Sequence, residues 1–196
     1  MPIRGVIFDL DETLVASDLD YDAIRRDLNL ADDQLILETV TAMPAGPQKD
    51  AACEVLHRHE HEGALRSTLM PGVADFLSWL ADRNILAGVL TRNSRRATEL
   101  VFKNLGLNLA PVLTREDAAP KPDPEGLLKI CDEWNFSVKD VLFFGDFLFD
   151  LQAAANAGMR SVLYCPNDRP DFADQADFVL TDFAQAAEIV TIASAS

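Results

Sequence analysis

The chain has 196 residues, 48% of them hydrophobic and 25% charged, a globular balance that allows one large domain or one domain carrying an insertion. Its 17 Lys and Arg against 32 Asp and Glu give a net charge of −15, which argues against nucleic acid or an anionic membrane surface as partner and means that an anionic substrate must be met by local cations and a bound metal. Cys53, Cys131 and Cys165 show no CxxC spacing and read as reduced thiols of a cytoplasmic protein, an expectation joined by the lack of a leader pattern or of any apolar run near the roughly 20 residues of a membrane span.

The first predicted strand, residues 6–10, begins with the apolar run Val6-Ile7-Phe8 and ends in two acids, Asp9 and Asp11, followed by Glu12-Thr13. In open α/β sheets ligands bind beyond the carboxyl ends of strands. Two carboxylates placed there repel each other and lose solvation unless a cation or a proton compensates. Mg²⁺ suits such a pair, because it takes carboxylate oxygens and shares its coordination with phosphate. On these residues alone, turn formation or helix capping explains the pair equally well.

Residues 18–69 carry no strand pattern. Helices are expected over 21–28, 31–41 and 49–67, with Met43-Pro44-Ala45-Gly46-Pro47 between the second and third. A helical block after the first strand reads as an insertion above Asp9, a lid on the site, and Met70-Pro71-Gly72 marks the return. The expected division is a core of residues 1–17 and 69–196 and a cap of 18–68. His57 and His61, in a run with His59, share a helix face at four-residue spacing. Without a third ligand nearby, the expectation there is a solvated helix.

A helix over 72–83 leads to a strand over 86–91, which ends in Thr91-Arg92-Asn93-Ser94 ahead of a helix over 95–105. A hydroxyl, a guanidinium and free backbone N–H groups at a helix start suit an anion, although Thr in this position is also a common cap. After a short strand over 112–114 comes Ala119-Pro120-Lys121-Pro122-Asp123-Pro124. Its three prolines predict an extended, rigid loop that would preorganise Lys121 to clamp phosphate before a helix over 124–134. A strand over 141–145 ends in Gly145-Asp146, with Asp150 at the start of a helix over 149–157. Capping by Asp146 and a surface position for Asp150 are the alternative. Strands over 161–165 and 178–180 and a helix over 183–191 complete the pattern, with Gly106 and Gly158 as helix stops. The alternation predicts a Rossmann-like, doubly wound α/β fold: a parallel sheet covered on both faces.

Taken in order, Asp9-Leu10-Asp11-Glu12-Thr13, Thr91, Lys121, and Gly145-Asp146 with Asp150 resemble the four motifs of the haloacid dehalogenase superfamily. The helical block between the first two motifs is similar to that of the subfamily with a C1 cap, which includes phosphoglycolate phosphatases, as is the phrase Met70-Pro71-Gly72-Val73. The resemblance implies a phosphatase of small phosphorylated metabolites, monomeric or homodimeric, that works through an aspartyl-phosphate. Asp9 would be the nucleophile and Asp11 the acid–base. Thr91 and Lys121 would hold phosphoryl oxygens, with Arg92 beside them. Asp9, the main-chain carbonyl of Asp11, and Asp146 would bind Mg²⁺, and Asp150 would orient metal waters or Lys121. Two positions depart from the family pattern: Glu12 stands where Gly is usual, and Phe147 where a small polar residue is common. A metal-free dehalogenase typically lacks the second acid, so Asp11 argues against one. Phosphatases of RNA polymerase tails lack a large C1 cap. A phosphosugar mutase with the same core, or a non-catalytic phospho-ligand-binding protein, are the alternatives.

Overall fold

A computed structural model describes residues 2–195, so Met1 and Ser196, the end residues of the expected core, lie outside the described residues. The chain runs through β1 (Gly5–Phe8), β2 (Val15–Ala16), α1 (Tyr21–Leu28), α2 (Ile36–Ala42), α3 (Pro47–Arg66), β3 (Thr68–Leu69) and α4 (Val73–Asp82). It continues through β4 (Leu86–Leu90), α5 (Arg95–Leu105), β5 (Val112–Leu113), α6 (Glu125–Trp134), β6 (Val141–Gly145), α7 (Leu148–Ala157), β7 (Arg160–Tyr164), β8 (Phe178–Leu180) and α8 (Ala186–Ala195).

Six strands form one parallel sheet in the order β5-β4-β1-β6-β7-β8. The buried runs of β1 and β6 alternate between two cores, as the two-residue period of a strand requires. Val6, Phe8, Leu142 and Phe144 join Val73, Phe76, Leu80, Val101 and Val190 on one face. Ile7, Val141 and Phe143 join Leu127, Ile130, Ala153 and Ala154 on the other. Helices α4, α5 and α8 therefore cover the first face, and α6 and α7 the second. From β1 the chain winds outward to β4 and β5, then returns to place β6 against the other edge of β1. The winding reverses between β1 and β6, which is where an open α/β sheet leaves a crevice for ligands.

Helices α1, α2 and α3 are inserted between β2 and β3. Two expectations for this region are corrected. The second helix begins at Ile36 instead of residue 31. Gln34 Oε1 accepts the N–H of Ala31 at 2.8 Å and the Gln34 N–H returns to the Ala31 carbonyl, so residues 31–34 close a turn of their own. The two linkers of the insertion are also strands, β2 and β3, paired antiparallel with Val15 opposite Leu69 and Ala16 opposite Thr68. Two-residue strands carry too little pattern for an alternation to register. At the far end, the helix expected over 183–191 is a 3₁₀ turn, Phe183–Gln185, followed by α8. No helix among the described residues is long and apolar enough to cross a membrane. All three cysteines are free thiols.

Candidate active site

The carboxyl ends of β1, β4 and β6 are neighbours in the sheet, so the residues that follow them, Asp9, Thr91 and Asp146, are brought to one crevice. Asp9 is fixed there by its own N–H, which donates to the Phe144 carbonyl of β6 at 2.8 Å. Lys121 arrives from the segment between β5 and α6. That segment turns at Lys121, with a cis Lys121–Pro122 peptide and the Asp123 N–H closing on the Pro120 carbonyl at 3.1 Å. The extended loop expected from the prolines is therefore a turn, because the backbone finds a local hydrogen bond there.

Lys121 is buried, and its Nζ lies 2.7 Å from Asp9 Oδ1 and 2.5 Å from Asp150 Oδ1. Burial opposes its charge, but Asp150 and Asp9 outweigh that and hold the ammonium above the usual lysine range. Asp150 is itself buried at 2% exposure, which removes the surface alternative. Its Oδ2 accepts the Phe147 N–H at 3.0 Å, capping the start of α7. The side chain lies so close to β6 that a Cβ at Gly145 would sit 2.3 Å from Asp150 Cβ. Gly145 is what lets this carboxylate fold back over the strand end.

Asp9, Asp146 and Asp150 each bring a carboxylate oxygen within 4.8 Å of the others, the only such metal-suited group found among the described residues. The histidines of α3 take no part in one; His59 Nε2 instead meets Asp27 Oδ2 at 2.8 Å. Burial pushes Asp146 up to about 8, with Asp9 and Asp150 adding to it. Burial likewise pushes Asp9 up to about 7, against the pull of Lys121. Carboxylates held this close, with one ammonium among them, carry surplus negative charge. A hard divalent cation that prefers oxygen ligands matches both the charge and the donor set.

Asp11 is oriented by Asn93, whose Nδ2 donates to its Oδ2 at 3.1 Å. Burial raises Asp11 to about 6, partly offset by that hydrogen bond, and its Oδ1 is buried with no hydrogen-bond partner among the described residues. Thr91 is buried and its Oγ1 accepts the Asn93 N–H at 3.0 Å. Ser94, not Thr91, caps α5. Thr13 Oγ1 donates to Asp146 Oδ1 at 3.2 Å, which ties the turn after β1 to the end of β6. Arg92 lines the same cavity, but its guanidinium is paired with Glu38 of α2 and lies over the Phe149 ring.

The helical insertion closes over this floor. The cavity between them measures about 350 Å³ and is lined from above by Leu19, Tyr21, Ile24, Arg25, Leu35 and Leu56, among others. Glu60 of α3, 5% exposed, makes a forked pair with Arg115 of the core, and Asn104 Nδ2 of α5 donates to the Ala64 carbonyl of α3 at 3.3 Å. Sequence reasoning did not assign Glu38, Glu60 or Arg115 to the site, and it placed Asn93 at the anion-binding end of its strand without the hydrogen bond to Asp11. For Asn93 the signal was its place three residues after the end of β4. The ion pairs join residues far apart in sequence, and nothing local announces them.

The two departures from the family pattern have distinct structural roles. Glu12 adopts a left-handed backbone, φ 58°, and its Oε1 accepts hydrogen bonds from the Ser17 N–H at 3.2 Å and the Ser17 hydroxyl at 3.0 Å. The position does impose the geometry that favours Gly, and Glu12 meets it while bracing the start of the insertion. Phe147 is 47% exposed and packs edge-on against Phe149 and Phe172, away from any polar role.

A family model described as haloacid dehalogenase-like hydrolase matches residues 3–158 of the chain. The chain belongs to this family. An N-acetylmuramic acid 6-phosphate phosphatase of Pseudomonas putida is a relative at 33% identity over 183 residues, covering 82% of this chain and 82% of its own. A phosphoglycolate phosphatase of Thiobacillus denitrificans is 29% identical over 221 aligned positions, covering 97% of each chain. Among solved structures, one described as a predicted phosphoglycolate phosphatase from Haemophilus somnus shares the fold, with a TM-score of 0.77 over 95% of this chain and 97% of that chain at 21% identity. This haloacid dehalogenase-like hydrolase thus has phosphatases as relatives, and it combines a parallel sheet, a helical insertion and an acid cluster that can hold a metal.

Proposed function

We propose that this hydrolase is a Mg²⁺-dependent phosphatase of small phosphorylated metabolites, with Asp9 carrying the phosphoryl group between two half-reactions. The observation that carries the proposal is Lys121, buried and held between Asp9 at 2.7 Å and Asp150 at 2.5 Å, with Asp146 in the same acid cluster. A lone ammonium among these carboxylates is suited to a phosphoryl group that arrives with its metal. Asp9, Asp146 and the main-chain carbonyl of Asp11 would hold Mg²⁺, which when bound neutralises the charge between the attacking carboxylate and the phosphoryl oxygens.

In the first half-reaction an Asp9 carboxylate oxygen attacks phosphorus and the bond to the leaving oxygen breaks. Asp11, positioned by Asn93 and raised to about 6 mainly by burial, gives its proton to that oxygen. In the second, Asp11 accepts a proton from a water that attacks the same phosphorus, which frees inorganic phosphate and restores Asp9. Thr91 and Lys121 hold the non-transferring oxygens. Arg92 can join them only by releasing Glu38. Asp150 keeps Lys121 in place. Residues 18–68 act as the cap over a core of 1–17 and 69–196.

The direct test is hydrolysis of an aryl phosphate by the purified protein. Turnover should require Mg²⁺, stop with a chelator, return on adding Mg²⁺ back, and be absent in Asp9→Asn. Turnover indifferent to chelators contradicts the reading.

A further inference from the structure

The cavity of about 350 Å³ is lined by four cations: Arg25, Arg92, Arg115 and Lys121. Three are committed to carboxylates, Lys121 to Asp9 and Asp150, Arg92 to Glu38, and Arg115 to Glu60. Arg25 is not. Its Nη1 lies 3.6 Å from Oδ1 of Asp22, a side chain 81% exposed, and a pair so open to water holds little. Its Nε is buried with no hydrogen-bond partner among the described residues. A buried guanidinium N–H left unpaired is costly, and such groups normally have an acceptor. Tyr21, Ile24 and Arg25 recur at the spacing of one helix face on α1, and all three line the cavity. Leu19, Ile24, Leu35, Leu56 and Phe149 form apolar walls beside them. The volume is in the range of pockets that enclose whole small molecules, larger than a phosphoryl group alone requires.

We infer that the substrate is a phosphomonoester whose organic part also carries a carboxylate, and that Arg25 is the specificity residue that reads it, an inference that rests on the phosphatase reading above. A guanidinium matches the two oxygens of a carboxylate with two parallel N–H groups. The charge already in the cavity favours a carboxylate over a second phosphate. Asp9, Asp11, Glu12, Glu38, Glu60, Asp146 and Asp150 outnumber the cations that line it. One uncommitted guanidinium balances one added negative charge, not two.

The test compares kcat/KM within pairs of phosphomonoesters that differ only in the group at issue. 3-Phosphoglycerate against glycerol 3-phosphate, and 6-phosphogluconate against glucitol 6-phosphate, exchange a carboxylate for a hydroxymethyl. Fructose 1,6-bisphosphate against fructose 6-phosphate tests a second phosphate. The wild type should favour the carboxylate member of at least one pair by about tenfold or more, the scale of a charge-assisted hydrogen bond. Arg25→Met should bring that ratio close to one, with Arg25→Lys in between. A merely structural role for Arg25 lowers both members and leaves the ratio alone. A wild type without carboxylate preference, a preference confined to the bisphosphate, or an unchanged ratio in Arg25→Met overturns the inference while leaving the phosphatase reading standing. Failure to turn over an aryl phosphate or any of these compounds overturns that reading, and this inference with it.

Discussion

Asp9 and Asp146 are acids whose ordinary value is 3.8, raised by burial to about 7 and about 8 in the metal-free protein. A carboxyl that binds its proton more tightly folded than unfolded stabilises the fold fully below its unfolded value. That contribution is lost as pH rises through the folded one. The metal-free protein should therefore lose thermal stability as pH climbs from about 4 toward 8. Mg²⁺ should raise the melting temperature more at pH 8 than at pH 6, since at pH 6 it must displace protons. A melting shift by Mg²⁺ that is equal at both pH values, or larger at pH 6, would show that these two carboxylates are not its ligands. Replacing a ligand gives a second check. Asp146→Ala should raise the Mg²⁺ concentration needed for half-maximal rate, and an unchanged Mg²⁺ response would remove Asp146 from the site. Asp11→Asn should slow hydrolysis of an alkyl phosphate by about 10²–10⁴-fold, the usual scale of a lost general acid–base. Equal rates in the variant and the wild type would take that role from Asp11. At this scale the sequence was most legible. Asp9, Asp11, Thr91, Lys121, Asp146 and Asp150 all line or floor one crevice, because each stands where a strand ends or a short turn delivers it. Arg92 was harder to read, since its partner Glu38 lies 54 positions away in the chain.

Among the elements, the junction of β6 and α7 is the most tightly constrained. Gly145 ends the strand, and Asp150, in the first turn of the helix, folds back into the space a side chain would occupy. Gly145→Ala should displace Asp150, withdraw a partner of Lys121 and the acceptor of the Phe147 N–H, and destabilise the fold by about 1–3 kcal/mol. Activity should fall further than stability accounts for, measured as kcat on protein shown to be folded. Wild-type kcat in a folded Gly145→Ala protein would mean that Asp150 does not position Lys121. Long elements were readable from composition. β6 is an apolar run ending in Gly, and α5 and α7 stop at Gly106 and Gly158 in left-handed backbone, as a C-terminal stop requires. The ribbon of β2 and β3 was not readable. Each strand is two residues long and stabilised by a partner more than fifty positions away, so tertiary pairing, not local pattern, creates it.

For the molecule as a whole, the sheet carries the acid cluster and the insertion lies over it as a roof. The two packed cores on either side of β1 and β6 are built almost wholly from the sheet and its five covering helices, with Ala64 the contribution of α3. A chain with residues 18–67 replaced by a short flexible linker should therefore fold. It should keep weak turnover of an aryl phosphate and lose discrimination among metabolites, read as a flattened profile of kcat/KM across a phosphomonoester panel. A profile matching that of the full chain would remove the insertion from specificity. The overall architecture followed from strand–helix alternation because a parallel sheet needs long crossovers, and helices are what fill them. The contacts that hold the roof down, Glu38 to Arg92 and Glu60 to Arg115, emerge only when the chain is folded. The central claim is that Asp9 carries the phosphoryl group, and its most direct test is to quench Asp11→Asn in acid during turnover of an aryl phosphate with Mg²⁺ and locate the added mass by peptide sequencing. An aryl leaving group needs little protonation, whereas release from Asp9 needs the lost base. A phosphoryl group should therefore accumulate on Asp9 and be absent from the protein with Asp9→Asn added. Turnover with no phosphorylated peptide, or with the group on another residue, would contradict the account.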